Sequence, residues 1–114
     1  MSRKTRVLSP ASAAILRRFL SAPTDELHGF RIINEAGIPS STLYPALRLL
    51  AEKRSFLTWR WEDIDPRVEK RPPRRLYRLR GESASAARKA LSEYEAHQEK
   101  QPLSLRPQPH GGRA

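Results

Sequence analysis

Arginine and lysine are the residue types whose spacing in this sequence most clearly indicates a chemistry, and that chemistry is phosphate binding. Residues 67–80 contain seven basic residues and one acidic residue. Residues 1–22 contain five basic residues and no acidic one. Because Arg and Lys neutralise phosphates and release their counterions, two concentrated basic blocks favour a nucleic-acid partner. A solvated basic surface without a specific partner stays open as the alternative.

Histidine and carboxylate residues do not have the spacing of a catalytic or metal site. His28, His97 and His110 are far apart in the chain, and none has a second ligand at a metal-binding distance in sequence. Asp63 and Asp65 form an acidic pair that lacks the further oxygen ligands of a calcium loop. The sequence has no Cys, which excludes disulfides, thiolate metal centres and a Cys nucleophile. We therefore expect a protein that is not an enzyme, with no catalytic residue, metal or cofactor.

The size and the charge of the chain limit the remaining classes of protein. A length of 114 residues allows one domain of ordinary size. A net charge of +10 leaves nucleic acid and an anionic membrane surface as partners. No apolar run approaches the roughly 18 residues of a membrane-spanning helix, and no signal peptide is recognisable. We therefore expect a cytoplasmic protein that makes no use of a membrane.

Two helices are predicted in the first third of the chain. Ser9 is a suitable N-cap for the first helix, and Pro10 suits the first helical position. This helix should end near residue 22, before a proline. Thr24 or Asp25 can cap the second helix, and Gly37 suits its left-handed C-terminal cap.

A third helix follows after a short turn. It should begin at residue 40 or 41 and end near residue 54. Leu43, Leu47 and Leu50 have helical spacing and therefore share one face. Pro45 should lie in or just after the first turn, where its missing N–H costs little.

After this helix the spacing of the apolar residues is no longer helical, and the new pattern indicates a β-hairpin. Residues 56–62 are rich in β-forming side chains, and residues 75–80 alternate between apolar and basic. The connection between them is charged, and Pro66, Pro72 and Pro73 should keep it extended and without regular hydrogen bonds. Arg78 and Arg80 should lie on the outer face of the second strand.

The last predicted element is a helix over residues 81–100. Its apolar residues Ala84, Ala87, Leu91 and Tyr94 follow a 3-4-3 spacing, which is typical of a short dimerisation seam. Residues 101–114 contain three prolines and two glycines, and we expect them to be disordered.

Together the elements predict an α+β, mainly α fold, namely a winged helix-turn-helix of three helices and a β-hairpin wing, followed by a C-terminal dimerisation helix. The expected organisation is a basic N-terminal arm (1–8), a DNA-binding winged helix-turn-helix domain (9–80), the dimerisation helix (81–100) and the tail (101–114). The two basic blocks would then lie on either side of a neutral helix-turn-helix, which favours DNA over a membrane as the partner.

The third helix of such a fold enters the major groove, and the wing contacts the backbone beside it. Small hydroxyls would allow close approach, Tyr44 could contact a phosphate or a thymine methyl, and Arg48 could reach a guanine or the backbone. Packing of Tyr44 and a solvated Arg48 stay open as alternatives. The predicted recognition-helix contacts are Ser40, Ser41, Thr42, Tyr44, Pro45 and Arg48. The predicted wing contacts are Arg67, Lys70, Arg71, Arg74 and Arg75.

Two tryptophans are two residues apart and therefore lie on one face of the first predicted strand. Trp59 or Trp61 could stack on a flat ligand or fill a dimer core, and ordinary packing is the favoured interpretation.

Two sequence blocks resemble the PadR family of bacterial transcriptional regulators. The block LHGFRII at 27–33 is similar to the family pattern L-H-G-[YF]-x-I, and STLYPALRLL at 41–50 is similar to its T-L-Y-P-x-L block. Trp61-Glu62 and the run PRRLYRL at 73–79 match the strands of the family's wing. The resemblance covers roughly residues 10–95 and points to the small subgroup with one C-terminal helix.

The resemblance implies a homodimer that binds an inverted-repeat operator in double-stranded DNA, usually as a repressor. In many members a small aromatic or amphipathic effector releases the DNA, and the C-terminal helix supplies the dimer interface. This sequence departs from the family pattern in three places, one of which is a longer and more charged wing loop with Asp63, Asp65 and Pro66. Ser55 stands where the family has a glycine before the wing, and the sequence after Leu79 lacks a capping threonine that Ser83 could partly replace.

Two functions follow from these observations. The first is a sequence-specific transcriptional regulator, released by a ligand. The alternative is a non-regulatory winged-helix module, either an architectural or mobile-element DNA-binding protein or a module that binds protein. The first predicts binding to one palindrome, whereas an architectural protein predicts salt-dependent binding with little sequence preference.

Overall fold

The computed structural model describes residues 7–99, and the expectations for residues 1–6 and 100–114 lie outside it. Seven helices and strands follow one another along this range. The helices are α1 (Pro10–Ser21), α2 (Gly29–Ala36), α3 (Ser40–Arg48), α4 (Pro66–Glu69) and α5 (Ala84–Glu99). The strands are β1 (Leu57–Trp61) and β2 (Arg75–Leu79). A π-helical turn (Leu49–Lys53) extends α3, and a 3-10 turn (Gly81–Ser83) precedes α5.

Helix α1 forms as the sequence predicts. Ser9 caps it by accepting the backbone N–H of Ser12, and Pro10 occupies the first helical position. Ile15, Leu16 and Phe19 are fully buried at the centre of the core. Helices α2, α3 and α5 all pack against α1.

Helix α2 begins later than predicted, so the proposed caps Thr24 and Asp25 are wrong. Its N-cap is His28, whose Nδ1 accepts the backbone N–H of Arg31 at 3.2 Å. Leu27 instead forms a two-bond antiparallel bridge with Tyr77 of β2. The end is as predicted, because Gly37 adopts a left-handed conformation with φ of 67°.

Helix α3 presents Leu43 and Leu47 to the core and the π-helical turn that extends it presents Leu50, and all three are fully buried. Pro39 is the N-cap and makes no side-chain hydrogen bond, so no serine caps this helix. Pro45 lies just after the first turn, as the sixth residue of the helix. There its missing N–H removes a bond that a helix interior would make. After Arg48 the helix widens into the π-helical turn.

The turn between α3 and the wing has the backbone geometry of a glycine position. Ser55 has a φ of 58°, in the left-handed region, which explains why a glycine is common there in the family that the sequence resembles. Its carbonyl accepts a hydrogen bond from Ser83 Oγ at 2.8 Å. Ser83 therefore secures this turn and does not cap α5.

The wing is a two-stranded antiparallel hairpin, as predicted. Leu57 pairs with Leu79, and Trp59 pairs with Tyr77. The connection is not wholly extended, since α4 forms one helical turn capped by the side chain of Asp65, with Pro66 at its first position. Pro66 was therefore wrongly assigned to an extended loop, because its fixed φ suits the first residue of a helix.

Helix α5 packs against α1 of the same chain. Ala87 is fully buried and Tyr94 is 9% exposed. Arg17 of α1 forms an exposed ion pair with Glu95 of α5 at 3.2 Å. The predicted seam is therefore used, at least in part, within one chain.

Candidate nucleic-acid interface

The outer face of α3 is the first part of the site. The leucines of α3 turn toward the core, so the predicted contact residues turn outward. No side chain caps the first turn of this helix, which leaves backbone N–H groups available to an anion. All six predicted residues are exposed: Ser40, Ser41, Thr42, Tyr44, Pro45 and Arg48.

Tyr44 also has a packing role. Its ring lies directly on the backbone of Gly29, at the start of α2. Even so, 47% of Tyr44 remains exposed. Both interpretations of this residue from the sequence, packing and surface contact, are thus compatible with its position.

The wing arginines do not act as one basic cluster. Arg71 donates two hydrogen bonds to the carboxylate of Glu62, at 2.7 and 3.0 Å. Arg74 contacts Nε2 of His28 at 3.1 Å, and Arg75 lies over the ring of Trp59 at 4.2 Å. These three side chains are engaged within the chain, and the DNA contacts expected of the five wing residues stay a prediction.

Glu62 is the residue that closes the base of the wing loop. Besides Arg71, its carboxylate accepts the backbone N–H of Arg74 at 3.3 Å. Hydrogen bonding by Arg71 lowers the pKa of Glu62 from 4.5 to about 2. The carboxylate is therefore ionised at neutral pH and fixes both ends of the loop.

Two wing residues remain free to reach a phosphate. The side chain of Arg67 is 93% exposed, and its nearest carboxylate, Asp65, is at the long distance of 3.7 Å. Lys70 is exposed and has a left-handed φ of 62° at the end of α4. The helical turn thus holds both cations at the tip of the wing. Arg78 is exposed on β2, as predicted, whereas Arg80 is half-buried and pairs with Glu82.

A cleft of about 370 Å³ separates α2 and α3 from the base of the wing. Helix α3 contributes Tyr44 to its lining, and the wing contributes Trp61, Arg74 and Arg75. Helix α3 and the base of the wing therefore border the same cleft. Trp61 is 57% exposed, whereas Trp59 is half-buried, so only Trp61 of the predicted pair reaches the cleft.

His28 is the cleft residue whose role the sequence did not predict in detail. Burial, reinforced by the positive charge of Arg74, lowers the pKa of His28 below its usual value. The imidazole is therefore neutral at pH 7. The spacing between His28 and Arg31 could have indicated from the sequence that His28 is an N-cap. The pairing of Glu62 with Arg71 was also not predicted from the sequence.

The four predicted dimer residues divide into two pairs. Ala87 and Tyr94 are buried within the chain, and their expected part in a dimer interface stays a prediction. Ala84 and Leu91 are half-buried and keep accessible surface.

Within residues 7–99, no cluster of His, Asp and Glu is arranged to hold a metal ion. The same range has no helix of the length and apolarity required to cross a bilayer.

Solved structures with the same fold include transcription factors. A PadR-like transcription factor from Bacteroides fragilis has a TM-score of 0.59 and 20% identity, covering 77% of this chain and 82% of that one. The circadian clock associated protein Pex from Anabaena has a TM-score of 0.56 and 19% identity, covering 83% and 85%. Pex from Synechococcus has a TM-score of 0.57 and 18% identity, covering 80% and 84%. No family model matches the sequence, and no curated protein matches it either.

These likenesses confirm the predicted fold. The chain is an α+β, mainly α winged helix-turn-helix with a C-terminal helix. The fold implied by the sequence resemblance is therefore the one observed.

Proposed function

We propose that this protein is a sequence-specific DNA-binding transcriptional regulator of the PadR kind, acting as a homodimeric repressor. Helix α3 enters the major groove of double-stranded DNA, and the tip of the wing crosses the neighbouring backbone. The observation that carries the proposal is the outer face of α3, which is wholly exposed and lies beside the wing. Its small hydroxyls, its uncapped N-terminus and Arg48 supply donors for bases and phosphates.

The dimer is supported by the surface that α5 leaves accessible. Ala84 and Leu91 are half-buried, so a second copy can cover apolar area that one chain leaves open. Two copies related by a twofold axis read an inverted repeat whose half-sites are about one helical turn apart. Leu91→Glu would place a charge in this interface, while Ser92→Glu next to it provides the control. We expect sedimentation analysis to show a monomer for the first variant and a dimer for the second.

The experiment that tests the function is a selection of bound fragments from the genome that encodes the protein. We expect enrichment of one palindromic motif, within or near promoters. Thr42→Ala and Arg48→Ala should change the selected motif, whereas Arg88→Ala on the exposed side of α5 should leave it unchanged.

The alternative, a non-regulatory architectural or mobile-element module or a protein-binding winged helix, makes a different prediction. It requires enrichment without a palindrome, or no enrichment at all. Either result would contradict the proposed function.

Small-molecule release is the remaining part of the proposal. A ligand that binds both α3 and the wing would change their relative position, and DNA affinity would fall. The cleft between them is the place in the described residues where one molecule could contact both elements.

A further inference from the structure

Arg75 is held in a fixed orientation by two tryptophans of the neighbouring strand. Its guanidinium carbon lies 4.2 Å from the centroid of the Trp59 ring and 5.7 Å from that of the Trp61 ring. The two indoles meet edge to face, with 5.4 Å between their centroids, and Trp61 is paired with Arg75 across the hairpin. A guanidinium that stacks on aromatic rings is already oriented, so it loses little further freedom when it binds a ligand.

The stacking uses the face of the Arg75 guanidinium and leaves its N–H edge accessible. Arg75 is exposed, and within residues 7–99 no carboxylate lies within ion-pair distance of its guanidinium. Arg71 differs in this respect, because it donates two hydrogen bonds to Glu62. Arg75 therefore keeps the parallel donors that two oxygens of one group would accept.

A second pair of donors beside Arg75 also points to an anion. Nδ1 of His28 accepts the backbone N–H of Arg31, so the neutral imidazole carries its proton on Nε2. Nε2 lies 3.1 Å from Nη1 of Arg74, and a guanidinium nitrogen only donates. Both of these side chains line the same cleft as Arg75. An anion at this edge of the cleft would supply the acceptor that the pair needs.

The position of the cleft indicates which anion this is. Tyr44 of α3 lines one side of the cleft, and Arg75 of β2 lines the other. When α3 lies in the major groove and the wing crosses the neighbouring backbone, that backbone runs between the two elements. A side chain between α3 and the wing therefore faces backbone phosphates, whereas base edges are reached from α3 itself.

We propose that Arg75 binds one backbone phosphate of the duplex through two parallel N–H bonds, and that Trp59 and Trp61 are positioning residues for this contact. The inference rests on the proposed function and deepens it, because it assigns a phosphate contact of fixed geometry to the base of the wing. Arg67 and Lys70 lie exposed at the wing tip and act there as mobile charges. Arg75 thus fixes the register of the protein on the duplex.

Arg75→Lys separates geometry from charge. Lysine keeps the positive charge but lacks the planar pair of donors. We expect Arg75→Lys to bind the selected palindrome at least about tenfold more weakly than wild type, with an unchanged slope of log K against log salt. Arg67→Lys at the wing tip is the matched control and should leave the affinity unchanged. Equal effects of the two lysine variants would overturn the proposal.

Substitutions of Trp59, the closer of the two rings, test the positioning role. Trp59→Leu should weaken DNA binding at least about fivefold, because the guanidinium is no longer oriented in advance. Trp59→Phe keeps a ring beneath the guanidinium and should restore most of the affinity. The salt slope should match wild type in both variants, and thermal unfolding checks that both are folded at the assay temperature.

A spectroscopic signal reports the same role in the protein without DNA. The Nε–H signal of Arg75 in ¹H–¹⁵N spectra should be displaced by the ring current of Trp59 in wild type and in Trp59→Phe. In Trp59→Leu it should move toward the position of an unstacked arginine. Equal DNA affinity of the Leu and Phe variants would show that Trp59 only packs, and the positioning role would be wrong.

A scan with methylphosphonate linkages identifies the group that Arg75 contacts. Each phosphate of the duplex is neutralised in turn. We expect one position in each half-site where neutralisation weakens wild type at least about tenfold but leaves Arg75→Gln unaffected. If Arg75→Gln instead changes the selected palindrome and no linkage couples to it, Arg75 reads a base and the proposal is wrong.

The failure of the proposal and the failure of the proposed function give different results. If wild type and Arg75→Lys bind the palindrome equally tightly, the function stands and the phosphate contact is wrong. If wild type binds no duplex, the proposed function fails and the phosphate contact fails with it.

Discussion

The ring of Tyr44 lies so close to Gly29 that a Cβ atom on this glycine would be 2.6 Å from the tyrosine hydroxyl oxygen. Helix α3 therefore contacts the first residue of α2 through the side chain of Tyr44. This contact explains why a glycine and a tyrosine occur together in the two sequence blocks that resemble the PadR family. It also connects α3 to the cleft.

Gly29→Ala should displace Tyr44 and weaken DNA binding. Real Cβ atoms essentially never approach another atom to 2.6 Å, so the tyrosine must move. We expect a loss of about 1–3 kcal/mol in the free energy of unfolding, together with a lower DNA affinity. Gly81→Ala is the control, because no atom lies within 4 Å of its added Cβ. Thermal unfolding and a gel-shift titration measure both effects, and equal behaviour of the two variants would contradict the contact.

Glu62→Gln should remove a pH-dependent part of the stability. The folded pKa of Glu62 is about 2, below the ordinary 4.5, because of its hydrogen bond with Arg71. The contribution is therefore fully present above about pH 4.5 and is lost as the pH falls toward 2. Urea unfolding at several pH values should show wild type losing its advantage over Glu62→Gln across this window. The exposed Glu93→Gln serves as the control and should follow wild type.

Arg67→Gln and Lys70→Gln should weaken binding to all DNA sequences alike. Both residues lie at the exposed tip of the wing, where they would contact phosphates. Each substitution should reduce the magnitude of the slope of log K against log salt by about 1. Arg88→Gln on α5 should leave the slope unchanged. A change of sequence preference in the wing variants would instead indicate base contacts.

Ser55→Gly should stabilise the protein. Ser55 has a φ of 58°, which costs an L-residue energy that glycine does not lose. The greater flexibility of glycine in the unfolded chain offsets part of this energy. We therefore expect the free energy of unfolding to rise by about 0.5–1 kcal/mol. Ser92→Gly within α5 should lower stability by about 0.5 kcal/mol. Urea unfolding checks the signs, and a loss of stability in Ser55→Gly would contradict the strain argued for this position, because glycine keeps the carbonyl that Ser83 contacts.

The helical core was predictable because it depends on local patterns. The spacing of Leu43, Leu47 and Leu50 identified the buried face of α3, and Gly37 identified the end of α2. The start of α2 was not predictable in the same way. Leu27 forms an antiparallel bridge with Tyr77, which lies 50 residues further along the chain. Local patterns of caps or periodicity cannot predict such a pairing.

The candidate site was predictable in its residue types but not in its partners. The sequence showed the concentration of basic residues between 67 and 80. It did not show which of them have partners within the chain, because that depends on contacts with Glu62, His28 and Trp59. These contacts leave Arg67 and Lys70 at the tip and bring Arg74 to the cleft. Tertiary structure, rather than charge density, thus determines which arginines are engaged within the chain.

The most direct test of DNA recognition by α3 and the wing is a competition experiment. A labelled duplex that carries the selected palindrome is bound to the full-length protein, and unlabelled duplexes then displace it. We predict that the same palindrome competes at concentrations at least about 1,000-fold lower than an unrelated duplex of equal length. Equal competition by the unrelated duplex would contradict sequence-specific recognition.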